Sequence, residues 1–260
     1  MYQAKPKGGA GHQIIDLREA SETVSRASLE SDLRAAFAHH DVSVAYQPIV
    51  RAADGAISGG EALLRWERST RGAVSALSMV KVAEQSGRII KIGAWLLEQA
   101  CRDRRGWAAT YPDSPLELAV NASARQLMGE EFVATVASVL FRTGMRTAGL
   151  ILEITENILI NDNDRAPVAF ADLKNLGVKL ALDDFGTGFS SLSYLRRLPI
   201  DIVKIDRSFI ADMRPPFSAT ITAAVTNLAH ILGLSVTTEG VETNDQRDAV
   251  QAIGCECAQG

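Results

Sequence analysis

Short apolar segments alternate with helix-like segments along most of this chain, and this alternation most constrains its fold. Eight segments have the length and composition of strands, near residues 44–50, 57–66, 115–121, 150–155, 179–184, 201–206, 234–239 and 254–259. Seven helical patterns fall near 76–86, 90–109, 129–142, 164–175, 188–197, 217–232 and 243–252. Eight strands interleaved with helices over about 220 residues predict a (β/α)8 barrel of the α/β class. A doubly wound open sheet is the main rival.

Composition excludes several other classes of protein. The chain is 47% hydrophobic and 22% charged, which indicates a folded domain and not a disordered, collagenous or coiled-coil chain. Its 27 Lys and Arg against 31 Asp and Glu give a net charge of −4, so no basic surplus attracts a nucleic-acid polymer or an anionic membrane. No apolar stretch approaches the roughly 20 residues of a membrane span. The sequence therefore predicts no transmembrane span in these 260 residues.

The cysteines bear on localisation, because disulfides persist in oxidising extracellular compartments and are rare in the reducing cytoplasm. Cys101, Cys255 and Cys257 are an odd set without a paired framework. The first residues, Met1 to Lys5, have no apolar signal-peptide core. We therefore expect reduced thiols and a cytoplasmic location.

Strand phase predicts which side chains meet. Residues two apart on a strand share a face. In the strand at 150–155, the face with Leu150, Leu152 and Ile154 suits packing under helices, so Glu153 on the other face is expected to point into the barrel. The same phase places Cys255 and Cys257 in the barrel interior. Seven strands each deliver an inward polar residue, mostly at the carboxyl end, where barrels keep their active sites. The convergent set is Glu61, Asn121, Glu153, Asp183, Asp184, Lys204, Glu239 and Gln259.

Five carboxylates in this set would repel one another strongly unless cations neutralise them. Because the available donors are carboxylate and amide oxygens, we expect Mg²⁺ or Mn²⁺, with room for two ions and Asp183 placed to bridge them. Two ions in such a site serve in-line displacement at phosphorus, so phosphodiester hydrolysis is the leading chemistry. A glycosidase or enolase-like barrel is the fold-level alternative, but Asn121 and the adjacent Asp183 and Asp184 fit it poorly.

Several spaced motifs resemble the EAL domain family of cyclic di-GMP phosphodiesterases. Glu61-Ala62-Leu63 matches the family signature, and the likeness continues in order through Tyr46–Val50, Val120–Ser123, Glu153–Glu156, Asp183–Ser191, Val203–Asp206, Glu239–Glu242 and Gln259–Gly260. The resemblance implies a TIM-like barrel whose first strand is antiparallel to the others. It also implies metal-dependent opening of cyclic di-GMP to linear 5′-pGpG.

The resemblance further implies roles for single residues. The family's metal ligands fall on Glu61, Asn121, Glu153, Asp183, Asp184 and Glu239. The catalytic positions are Lys204, which would contact the catalytic water, with Glu239 and Glu61, and the substrate positions are Gln47, Leu64, Arg65 and Gln259. Glu156 would brace the Gly-rich loop that follows Asp184. Ca²⁺ is expected to bind and inhibit.

Every catalytic position is intact, so the resemblance implies an active enzyme. A non-catalytic cyclic di-GMP receptor is the alternative, and loss of a ligand would favour it. Departures from the family pattern lie at 67–70 and 75–77, outside the metal-binding positions.

The ends of the chain suggest a longer protein. Residues 1–9 are similar to the close of a GGDEF domain, so residues 1–27 are expected to be the tail of an upstream GGDEF-like domain with a linker. Residues 28–260 are then the EAL domain, expected to stop short of the family's last helix. The family also places a dimer contact near the helix after the Gly-rich loop, so we expect a homodimer.

Overall fold

A nine-stranded sheet forms the framework of the molecule. The computed structural model describes residues 29–37, 41–68, 72–113, 115–156, 165–186, 198–211 and 217–260. The strands are β1 (Val42–Arg51), β2 (Ile57–Arg68), β3 (Gly72–Ala73), β4 (Glu117–Asn121), β5 (Leu150–Thr155), β6 (Lys179–Phe185), β7 (Ile202–Ile205), β8 (Ser235–Glu239) and β9 (Cys257–Gln259).

Helices connect most of these strands. Within the described residues they are α1 (29–37), α2 (Ala76–Gln85), α3 (Ile89–Thr110), α4 (Ala124–Leu127), α5 (Phe132–Thr143), α6 (Arg165–Asn175), α7 (Arg207–Ala211), α8 (Phe217–Ile231) and α9 (Asn244–Ile253). Gly144 and Gly254 follow α5 and α9 in the left-handed conformation that commonly ends a helix. In the described ranges, no helix combines the length and the apolarity that a bilayer crossing requires.

The sheet closes into a barrel. Its order is β1-β9-β8-β7-β6-β5-β4-β2, and the additional pairing of β1 with β2 completes the ring, while β3 only extends β2. Strand β1 is antiparallel to both β2 and β9, and the other neighbours in the ring are parallel. This arrangement confirms the predicted (β/α)8 barrel with an antiparallel first strand and excludes the open sheet.

The predicted strand phase is confirmed for most of the barrel. One buried cluster lines the interior with the inward residues Ile49, Ala119, Ile151, Ala181 and Ile202, and Cys257 packs against it. The alternate residues, among them Leu118, Leu150, Leu152, Leu180 and Val203, belong to the larger cluster between the sheet and the helices. The barrel therefore has an inner core and an outer core, both set by the period of two along each strand.

The prediction for Cys255 was wrong. Its thiol lies 3.5 Å from the Thr226 hydroxyl on α8, and the residue belongs to the outer core. Strand β9 begins only at Cys257, so the strand alternation does not extend back to Cys255. All three cysteines are free thiols.

The remaining differences concern short elements. Helices α4 and α7 span four and five residues, too few for a helical period to show in the sequence. The predicted helix at 188–197, the tail at 1–27 and the Gly-rich loop beyond residue 186 lie outside the described residues.

Candidate active site

The convergent residues lie mostly at the carboxyl ends of the parallel strands, with Glu61 in the middle of the longer β2. Strand β2 supplies Glu61, β4 Asn121, β5 Glu153, β6 Asp183 and Asp184, β7 Lys204, β8 Glu239 and β9 Gln259. The register places Asn121 beside Glu153 and Glu239 beside Gln259 on neighbouring strands. We call this group the mouth cluster.

The ammonium group of Lys204 lies at the centre of the mouth cluster. Its Nζ is 2.7 Å from Glu239 Oε1, 2.9 Å from Glu153 Oε1, 3.3 Å from Asp183 Oδ1 and 3.6 Å from Glu61 Oε2. Lys204 is only 2% exposed, as is Glu153. A single buried cation is therefore surrounded by four carboxylates.

Two side-chain amides hold Glu61 in place. Asn121 Nδ2 donates to Glu61 Oε1 over 2.6 Å, and Gln259 Nε2 donates to Glu61 Oε2 over 2.7 Å. Asn121 is on β4, next to β2, and Gln259 is on β9, next to β1. Because the pairing of β1 with β2 closes the ring, it brings both amides to the same carboxylate. Since both Glu61 oxygens are engaged, the orientation of this carboxylate is fixed.

Burial and like charge shift the pKa values in the mouth cluster. Burial raises the pKa of Glu153 well above its usual range, Lys204 opposes this rise, and Glu61 and Asp183 add to it. Burial also raises the pKa of Glu239, again against the effect of Lys204. For Lys204, burial lowers the pKa, but the surrounding carboxylates more than offset it and the net pKa lies well above the usual value. The cluster thus carries more carboxylate than one ammonium can neutralise.

The donor set suits a divalent cation. Asp183, Asp184 and Glu239 each offer a carboxylate oxygen, and these oxygens lie within 4.8 Å of one another. Asp184 has a φ of 55°, a left-handed conformation that is uncommon outside glycine and that turns the chain at the end of β6. An all-oxygen set of carboxylates is typical of hard ions such as Mg²⁺, Mn²⁺ or Ca²⁺.

Comparison with known proteins agrees with this geometry. The model of the EAL domain family matches residues 30–260. The chain belongs to the EAL domain family. An uncharacterized signaling protein of Caulobacter vibrioides is 42% identical over 262 residues, a match that covers 100% of this chain and 32% of that protein.

A second relative has a solved structure. MucR of Pseudomonas aeruginosa, a bifunctional diguanylate cyclase/cyclic di-GMP phosphodiesterase, is 37% identical over 261 residues, covering 100% of this chain and 38% of MucR. The PaMucR phosphodiesterase structure in complex with c-di-GMP has a TM-score of 0.85 and 39% identity, and the match covers 90% of this chain and 94% of that one. This EAL domain thus spans about a third of the length of these two full-length relatives.

The expected substrate positions are less tightly gathered than the mouth cluster. Gln47 is half-buried on β1, directly opposite Glu61 in the strand register. Arg65 is exposed, and its Nη1 donates to the Leu64 carbonyl oxygen over 3.2 Å. Leu64 packs against the outer core and against a second buried cluster that includes Trp66, on the face of β2 opposite to Glu61. The structure therefore brings Gln47 and Gln259 to Glu61 but leaves Leu64 and Arg65 apart from it.

Glu156 directly follows β5. It is buried, and its backbone N–H donates to the Asp183 carbonyl oxygen over 3.3 Å. The end of β5 is thereby tied to the strand that carries Asp183 and Asp184. The loop that Glu156 is expected to brace lies outside the described residues, so that role stays a prediction.

Sequence reasoning missed the anchor of the antiparallel strand. The Tyr46 hydroxyl donates to Asp103 Oδ2 on α3 over 2.5 Å, and Gln99 Nε2 donates to Asp103 Oδ1 over 2.9 Å. Trp107 packs edge-on against the Tyr46 ring at 4.6 Å. Burial and Asp103 raise the pKa of Tyr46, so its hydroxyl stays a donor. These contacts hold β1 against α3 at the residue before Gln47. No local pattern in the sequence links Tyr46 to a residue as distant as Asp103.

Removal of the Lys204 charge tests the electrostatic balance of the mouth cluster. In metal-free protein, Lys204→Met leaves buried carboxylates without their counter-ion, so we expect the free energy of unfolding to fall by about 3–5 kcal/mol. Urea unfolding in the presence of a chelator measures the change.

Lys179→Met is the matched control for this substitution. Lys179 pairs with Glu117, but the two side chains are 40% and 32% exposed. Exposed pairs contribute little, so the expected loss is below about 1 kcal/mol. Equal losses in the two variants would contradict the central role of Lys204.

Proposed function

We propose that this EAL domain hydrolyses cyclic di-GMP to linear 5′-pGpG with the help of two divalent cations. The observation that carries the proposal is the mouth cluster itself, which gathers every expected metal-binding position and Lys204 at one end of the barrel. The relation to MucR, a cyclic di-GMP phosphodiesterase, and the likeness to its c-di-GMP complex support the choice of substrate.

We assign the expected ligands to two cations. Asp183, Asp184 and Glu239 would hold one ion, since their oxygens lie within 4.8 Å of one another. Glu61, Asn121 and Glu153 would hold the second, with Asp183 shared. Asn121 would contribute its Oδ1, because its Nδ2 donates to Glu61. When bound, such ions neutralise phosphate charge and lower the pKa of an attacking water.

Lys204 acts as a fixed hydrogen-bond donor in this proposal. Its Nζ is held between Glu153 and Glu239, at 2.9 and 2.7 Å. From this position the ammonium donates to the attacking water and orients it. Glu239 and Glu61 complete the catalytic group as carboxylates on either side of Lys204.

The remaining positions serve the substrate. The Arg65 guanidinium is exposed and is suited to pair with a phosphate oxygen of cyclic di-GMP. Gln47 and Gln259 lie beside Glu61 and would contact the nucleotide from the barrel side. Leu64 would take part only through its partly buried side chain at the edge of the outer core.

A non-catalytic cyclic di-GMP receptor is the second candidate function. A receptor could bind the nucleotide in the same pocket without the ligands for metal. All six expected ligand positions are carboxylates or an amide in this chain, which favours the enzyme.

The wider setting is also proposed. The alignment with the bifunctional MucR covers the whole of this chain, including residues 1–27, and this supports an upstream GGDEF-like domain. We further propose a homodimer in the cytoplasm. The three free thiols are compatible with a reducing compartment.

The reaction itself gives the most direct test of the proposed function. Metal-stripped protein is incubated with cyclic di-GMP and Mg²⁺, Mn²⁺ or Ca²⁺, and the nucleotides are separated by chromatography. We expect linear pGpG with Mg²⁺ and Mn²⁺. Ca²⁺ takes 6–8 ligands at about 2.3–2.6 Å where Mg²⁺ takes six at about 2.0–2.1 Å, so it should permit binding but nearly abolish turnover.

Two outcomes would change this account. Tight binding of unchanged cyclic di-GMP with every metal would establish the receptor. Comparable turnover with Ca²⁺ and Mg²⁺ would show that the metals only organise the pocket.

Substitution of Lys204 and Glu239 separates their roles. Lys204→Ala should lower kcat by about 10²–10⁴-fold, the range of general acid–base groups, without recovery at high metal concentration. Glu239→Gln weakens a metal ligand, so excess Mn²⁺ should restore part of its activity. Steady-state kinetics over a range of Mn²⁺ concentrations provide the measurement. Rescue of Lys204→Ala but not of Glu239→Gln would mean that the two roles are reversed.

A further inference from the structure

A small cavity lies inside the barrel on the far side of the mouth cluster. Its volume is about 60 Å³. Glu153 and Lys204 line the end towards the mouth, and Glu117 and Lys179, at the starts of β4 and β6, line the other end. The cavity therefore connects the buried charges of the mouth cluster with the base of the barrel.

Small inward residues create this cavity. Barrel interiors are usually filled by branched side chains such as Val, Ile and Leu. Here Ala181 and Ser235 occupy wall positions, together with Ser58 and Thr237. The space left by the missing side chains is thus bordered by polar groups as well as by Ile151 and Ile202.

A carboxylate oxygen at the cavity lacks a protein hydrogen bond in the described part of the chain. Glu153 Oε2 is buried without a hydrogen-bond partner there, although its Oε1 is 2.9 Å from Lys204 Nζ. Thr237 also lines the cavity and is only 7% exposed. Thr237 stands beside Lys204 in the register of β7 and β8.

The other hydroxyls of the wall are already satisfied. Ser58 Oγ donates to the Ile49 carbonyl oxygen over 3.1 Å, and Ser235 Oγ donates to the Asp201 carbonyl oxygen over 3.3 Å. The unmet hydrogen-bonding capacity is therefore concentrated at the end of the cavity nearest Lys204.

We propose that the cavity is an internal hydration site that orients Glu153. A volume of 60 Å³ holds about two waters at their usual share of about 30 Å³ each, and cavities with polar walls fill where apolar ones stay dry. One water donates to Glu153 Oε2, and the Thr237 hydroxyl donates to the same water or to its neighbour. Thr237 is a positioning residue, acting through water on Glu153 and so on the Glu153–Lys204 pair.

A high-resolution crystal structure of the wild-type domain tests the hydration site without any assay of activity. In metal-free and Mg²⁺-soaked crystals we expect ordered waters in the cavity, one within hydrogen-bond distance of Glu153 Oε2. An empty cavity overturns the proposal, and so does a Glu153 Oε2 that contacts only a cation. This result does not depend on whether the domain hydrolyses cyclic di-GMP.

Substitution of Thr237 tests the positioning role, which rests on the proposed function. Thr237→Val keeps the shape and removes the hydroxyl, so we expect kcat to fall about 10–100-fold, the usual effect of groups that orient metal-site residues, with KM for cyclic di-GMP unchanged. Thr237→Ser should restore most of the rate. Ser235→Ala, on the same strand with a satisfied hydroxyl, is the control and should match wild type.

The kinetic results separate positioning from a merely structural role. An unchanged kcat in Thr237→Val contradicts the role of Thr237. Parallel losses in Thr237→Val and Ser235→Ala contradict it too, because the loss would then follow from disturbed packing of β8.

Discussion

The structure depends on one buried ammonium group that faces four carboxylates. Lys204 is almost fully enclosed, and moving one such ion out of water costs several kcal/mol unless close opposite charge compensates it. Glu61, Glu153, Asp183 and Glu239 compensate it in excess, with Nζ–O distances from 2.7 to 3.6 Å. Protons or bound cations neutralise the surplus of negative charge, and this links the electrostatics of the barrel to its proposed chemistry.

The closed sheet is what makes such a concentration of charge possible. Each strand contributes inward residues at a fixed period, and the ring brings the ends of strands distant in sequence to one mouth. Gln259 and Glu61, 198 residues apart, become hydrogen-bond partners in this way. The antiparallel strand β1 closes the ring, and the Tyr46–Asp103 contact secures it against α3.

The sequence predicts the barrel and the composition of the mouth cluster because both follow from periodicity. Inward phase identified Glu153, Lys204 and Glu239 without knowledge of their distances. Phase does not determine rotamers, so the amide contacts to Glu61 and the central position of Lys204 appear only in the structure. Phase also fails where a strand has not begun, as at Cys255, and it gives no information on cavities such as the one beneath Glu153.

The central claim is that the surplus carboxylates form a site for two divalent cations. Titration of Mn²⁺ into metal-stripped protein, followed by electron paramagnetic resonance of the free ion, measures this directly. We expect saturable binding of two Mn²⁺ per chain, and loss of at least one in Asp183→Asn, because Asp183 is proposed as a ligand of both ions. Binding of Mn²⁺ that does not saturate, or that is the same in wild type and Asp183→Asn, would contradict the account.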